Sequence, residues 1–89
     1  MTSHKTERFR NLLDALPASV QRQARQAYQL WKRDSSHSSL HFRALSSNPE
    51  YYSVRVSASY RAVGRRHGDN IIWFLIGSHS DYDHLIKHL

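Results

Sequence analysis

The chain has 89 residues, with 13 Lys or Arg against 7 Asp or Glu, a formal charge of +6, and seven histidines besides. This length makes one domain, residues 1–89, with a small core that hides roughly 60–65% of the surface an unfolded chain exposes. There is no cysteine, which excludes a disulfide framework and a thiolate metal site and favours a reducing compartment. The polar start MTSHKTERFR lacks the apolar segment of a signal peptide, and the longest apolar run, 71–76, is too short to span a membrane. A cytoplasmic location is expected. A basic surplus of this size suits a polyanionic partner, and equally a merely solvated basic surface.

In residues 6–16, Phe9, Leu12, Leu13 and Leu16 follow the i, i+3, i+4, i+7 spacing of one helical stripe. Thr6 suits the cap and Glu7 the first turn. Pro17 interrupts, and is well placed to open a second helix over about 17–33. There Val20, Ala24, Ala27, Tyr28 and Trp31 share a face, while Arg22, Arg25, Gln29, Lys32 and Arg33 take the other. The serine-rich DSSHSS (34–39) is a connector. HFRAL (41–45) reads as a short edge strand or extended arm, and SSNPE (46–50) as a turn.

Three strands follow, over about 51–57, 59–66 and 70–77. The first puts Tyr52, Val54 and Val56 on one face and Tyr51, Ser53 and Arg55 on the other. The second separates Tyr60, Ala62 and Gly64 from Arg61, Val63 and Arg65. The third, NIIWFLIG, is apolar at nearly every position, so it belongs in the centre of a sheet with both faces covered. After Gly77 the period becomes helical again, with Tyr82, Leu85, Ile86 and Leu89 in register over about 80–88 and Ser80 or Asp81 as cap. The expected fold is α+β: a helical hairpin packed on a small twisted antiparallel sheet of 3–4 strands, with a short C-terminal helix. The hairpin covers one sheet face. The short last helix cannot cover all of the other, so a face with arginines beside apolar residues stays partly open.

The stretches LPASVQRQA, LHFRAL, YSVRVSASYRAVG and IIWFLIGSHSDYDHLI, taken in this order and spacing, resemble the RelE/ParE superfamily of toxins from bacterial type II toxin–antitoxin systems. The resemblance covers about residues 6–88. It implies one of two activities. RelE-like members cleave mRNA in the ribosome without a metal; ParE-like members inhibit DNA gyrase and are not nucleases. By position, Arg55 matches a basic residue of the first hairpin strand and Arg61 the arginine of the "Tyr-Arg" strand. His79 and Tyr82 fall where the family carries a basic or His residue and a catalytic Tyr. Arg can hold a phosphate and its transition state, and His and Tyr can move protons. Lys32, Arg33, His41, Arg43, Arg65 and Arg66 are the candidate nucleic-acid contacts. Two features depart from the pattern: Ser53 stands where ribonuclease relatives often have Lys, and the usual N-terminal strand is expected to be short or missing.

The resemblance implies a metal-independent, ribosome-dependent endoribonuclease that acts on mRNA and inhibits translation, with a gyrase inhibitor or an inactive antitoxin-binding member as alternatives. It implies a cognate antitoxin, acidic, partly disordered and encoded nearby, with ribosome and mRNA, or gyrase, as target. No cofactor, metal or membrane is expected. Each site residue also has an ordinary reading. It puts Arg55 and Arg61 in solvent or in pairs with Glu50, Asp69 or Asp81, makes His79 a residue that holds a turn, and makes Tyr82 core. Trp31, Trp73 and the tyrosines read as core, with Tyr51 and Tyr52 as alternative base-stacking groups. Asp81, His84 and His88 have a spacing that permits a metal but nothing that supports one.

Overall fold

The chain begins as a strand. A computed structural model describes residues 1–88 and places β1 (Thr2–Lys5) parallel to β5 (Asn70–Ser78), pairing Ser3 with Ile71 and Lys5 with Trp73. Between them in sequence lie α1 (Glu7–Asp14), α2 (Ala18–Arg33), a single 3-10 turn (Ser38–Leu40), β2 (Arg43–Ala44), β3 (Tyr51–Arg55) and β4 (Tyr60–His67); α3 (His79–Lys87) follows β5. The sheet order is β1-β5-β4-β3-β2, antiparallel except for the β1–β5 pair. The α+β class and the helix–sheet arrangement are as expected. One expectation needs correction: the sheet has five strands and is mixed; the N-terminal strand, expected to be short or missing, is present and short, at four residues. Leu89, expected to end the last helical stripe, lies outside the described residues.

Thr6 ends β1 and starts α1 by two bonds. Its amide donates to the Trp73 carbonyl at 3.0 Å, and its hydroxyl accepts from the Phe9 amide at 3.0 Å. Such a cap typically contributes about 1 kcal/mol. At the other end of α1, Gln21 reaches back from α2, its side-chain amide donating to the Asp14 and Leu16 carbonyls at 3.2 and 2.9 Å. That satisfies acceptors the helix end cannot pair within itself. α2 is tied to the edge strand through Tyr28, whose hydroxyl is 2.5 Å from Ser3 Oγ and whose ring lies 4.3 Å from Lys5 Nζ.

The hairpin covers the face bearing Val54, Ala62, Ile71, Trp73 and Ile76, with Phe9 and Trp31 packed onto it. Trp31 meets Trp73 edge-on, ring centroids 5.4 Å apart, and Phe42 likewise at 5.7 Å. Gly64 is fitted to this cluster. A Cβ there would stand 2.8 Å from Trp73 Cε3 and 2.9 Å from Ile71 Cγ1, closer than carbon atoms pack.

β5 does not keep one phase. Gly64 pairs with Trp73 and Val63 with Leu75, so Phe74 is an extra residue with no partner on β4. This bulge turns the strand over. Before it, Ile71 and Trp73 face the helices; after it, Ile76 does, and Leu75 joins Val63 and Ser53 on the opposite face. That second face is covered in part by α3.

Candidate active-site cleft

α3 is launched by a capping box. Ser78 Oγ accepts from the Asp81 amide, and the Asp81 carboxylate accepts from the Ser78 amide at 3.0 Å. The expected cap, Ser80 or Asp81, is thus displaced: Ser78 is the cap and Asp81 its returning acid. The carboxylate fills the space in front of Gly77, where a Cβ would lie 2.6 Å from Asp81 Oδ2. Only glycine lets the helix turn back this tightly. The turn lays Tyr82 and Ile86, one helical turn apart, over the second sheet face.

A cleft of about 420 Å³ opens between α3, β3–β4 and the chain around β2, and its walls carry His41, Arg43, Ser53, Arg61, His79 and Tyr82. Arg61 is half-buried, its guanidinium 5.4 Å from the Tyr82 ring centroid. That contact orients the cation without neutralising it. Among the described residues the ion pairs are Met1–Asp69 and Arg65–Glu50. Among the described residues, Arg43, Arg55 and Arg61 therefore have no carboxylate partner, and no carboxylate side chain lines the cleft. An anion entering it would meet cations free to bind.

His79 is held at both ends. Its amide donates to the Ser59 carbonyl at 3.1 Å, and Nε2 lies 2.9 Å from the Ala58 carbonyl. A carbonyl only accepts, so Nε2 carries a proton, and Nδ1 is the ring nitrogen left for proton transfer. The turn-holding role and a proton-transfer role coexist in one ring. His41 has left-handed backbone torsions, φ 48° and ψ 43°. This conformation is uncommon for a residue with a side chain. It closes the 3-10 turn and brings His41 to the cleft wall.

The cleft thus gathers Arg61, His79 and Tyr82 from the expected catalytic set, and His41 and Arg43 from the expected nucleic-acid contacts. Arg55 pairs across the strands with Arg61 but is exposed and does not line the cleft. Arg65 is engaged with Glu50 at 2.9 Å, and Arg66 donates to the Gly68 carbonyl at 2.9 Å and lies over Tyr52 on the helix-side face. Lys32 and Arg33 sit at the end of α2, away from the cleft. Sequence reasoning missed Ile86 and the Ser46–Ser47 wall as lining groups. Ile86 was findable, since it follows Tyr82 by one helical turn.

The fold is that of known toxins. The structure superposes on RelE in the RelB–RelE antitoxin–toxin complex from Methanococcus jannaschii with a TM-score of 0.73, at 19% identity over 91% of this chain and 96% of that one. It also matches a YoeB/ParE toxin from Agrobacterium tumefaciens (TM-score 0.66, 17% identity, 89% and 99% covered). The isolated E. coli RelE toxin is similar too (0.65, 16%, 98% and 96%). No curated protein matches by sequence. The ParE-like toxin domain matches residues 18–84, and the chain belongs to that family, within the RelE/ParE superfamily of toxin–antitoxin toxins.

Proposed function

We propose that this toxin is a ribosome-dependent mRNA endoribonuclease that works without a metal. The observation that carries the reading is the cleft itself: among the described residues, two guanidinium groups without an ion-pair partner, two imidazoles and a phenol converge where no carboxylate side chain intrudes. In this scheme Arg61 and Arg43 bind the scissile phosphate and hold its developing charge. One imidazole, with His79 Nδ1 the fixed candidate, takes the proton of the 2′-hydroxyl. The 2′-oxygen attacks phosphorus and the P–O5′ bond breaks. His41 or Tyr82 protonates the departing 5′-oxygen. The products are a 2′,3′-cyclic phosphate and a 5′-hydroxyl. Incubating the protein with ribosomes and message tests the reading. Cleavage that disappears in Arg61→Ala and His79→Ala, with the fold retained, supports it; intact message with wild type refutes it.

One observation favours a second reading. Ser53 is buried in the cleft wall where ribonuclease relatives often have Lys, which thins the positive charge. A gyrase inhibitor has no need of that charge, and an unaltered supercoiling assay would remove this alternative. For either activity the partner is a cognate antitoxin, as the antitoxin–toxin complex among the structural neighbours supports. The basic surplus of the chain favours an acidic one.

A further inference from the structure

The open sheet face does not end at the cleft. Beyond Arg61 the same face of β4 continues through Val63 to Arg65, about 13 Å along the strand. There Tyr51 of β3 meets Phe74 of β5 edge to face, ring centroids 5.7 Å apart. Both rings are half-buried, so part of each reaches solvent. Ile72 beside them is 39% exposed, one of only two large exposed apolar residues among those described. Arg65 lies 5.9 Å from the Tyr51 ring, held in place by Glu50. Phe74 is the bulge residue, and the break in strand phase is what accompanies its ring onto this face. Tyr52, by contrast, is turned to the helix side against Phe42 at 5.0 Å.

A soluble sheet ordinarily hides such rings, and this face surrounds them with cations. The strands place Arg43, Arg55, Arg61 and Arg65 on it, and no strand residue is acidic. Guanidinium groups beside aromatic rings on an open sheet match the two faces of a single-stranded nucleic acid: phosphates for the cations, bases for the rings. We propose that Tyr51 and Phe74 form a base-stacking platform for an RNA segment flanking the phosphate held in the cleft. The platform selects where along the message the cleft engages. This rests on the ribonuclease reading and adds a specificity-determining element to it.

The test uses 2′-O-methyl oligoribonucleotides, which bind but cannot be cut at the 2′-oxygen, each with one abasic position. Binding to wild type is read by fluorescence anisotropy. One abasic position is expected to weaken binding about tenfold, the effect of losing one stacked base. The same position is expected to make little difference in Phe74→Leu and Tyr51→Leu, each of which keeps an apolar side chain and is checked by circular dichroism and melting. Arg61→Ala is expected to weaken all the oligonucleotides alike. A flat abasic scan in wild type overturns the platform, as does binding of an acidic peptide in place of any oligonucleotide. Ribosomal cleavage, scored separately, distinguishes the two failures. Message cut with a flat scan sinks the platform alone. A positive scan without cleavage sinks the ribonuclease reading and leaves the platform as an RNA contact.

Discussion

The Arg61 guanidinium stands over the Tyr82 ring, 5.4 Å from its centroid, and has no acidic partner among the described residues. Both groups are therefore set before any substrate arrives. Arg61→Lys keeps the charge but loses the planar fork and the ring contact, so it is expected to rescue little. Arg61→Ala and Arg61→Lys should each lower message cleavage by about a hundredfold or more, the usual effect of removing one transition-state donor. Tyr82→Phe, which keeps the ring, should leave Arg61 in place and cost activity only through its hydroxyl. Cleavage rates on ribosomes check all three.

His79 serves the fold through Nε2 and the proposed chemistry through Nδ1. His79→Gln is expected to reduce cleavage by about a hundredfold. The accompanying loss of stability should be about 1 kcal/mol, the net value of one hydrogen bond. Denaturant unfolding and ribosomal cleavage on the same preparation separate the two effects. A variant that unfolds as readily as it loses activity would make His79 a purely structural residue.

Gly77→Ala should destabilise the protein by about 1–3 kcal/mol, because the added carbon collides with the Asp81 carboxylate. It should also displace α3 and with it Tyr82. Gly68→Ala is the control. Nothing stands within 4 Å of a Cβ there, but φ is +59°, so the cost is backbone strain of about 1 kcal/mol. Only Gly77→Ala should abolish activity at a temperature where both variants remain folded.

His4→Pro should remove a backbone donor that faces β5, since His4 lies on the same phase as Thr2 and Thr6, whose amides donate to the Asp69 and Trp73 carbonyls. The edge of β5, rich in Ile and Trp, would then be uncovered. Faster amide exchange along Ile71–Trp73 and a rising tendency to aggregate are the expected results. Hydrogen exchange and light scattering measure them.

The helices were legible because their apolar residues recur at helical spacing and Thr6 marks the first start. β1 was not, since THR–SER–HIS–LYS carries no apolar alternation; it is a strand by virtue of its backbone bonds to β5, with Ser3 and Lys5 both meeting Tyr28. The Phe74 bulge was hidden because NIIWFLIG is apolar on either phase. At the site, Arg61, His79 and Tyr82 were singled out by the family resemblance, through where they fall in its order of strands. Arg55 could not be separated from them, because alternation assigns a face and says nothing of where along that face a cleft opens. Ser78 as cap was obscured by running β5 and α3 together without a loop.

The unpaired residue in β5 allows one strand to answer to two surfaces. Positions up to Trp73 are chosen by the tryptophan cluster, and those from Leu75 onward by the cleft. Removing Phe74 would close the bulge and leave Trp73 and Leu75 adjacent, in the register they already hold against Gly64 and Val63. The tryptophan cluster and the cleft would keep their faces, and what is lost is the local bend and the Phe74 ring on the open face. A single deleted codon at this position should therefore spare the cleft, whereas a second inserted residue would turn Leu75 through Ser78 to the wrong side.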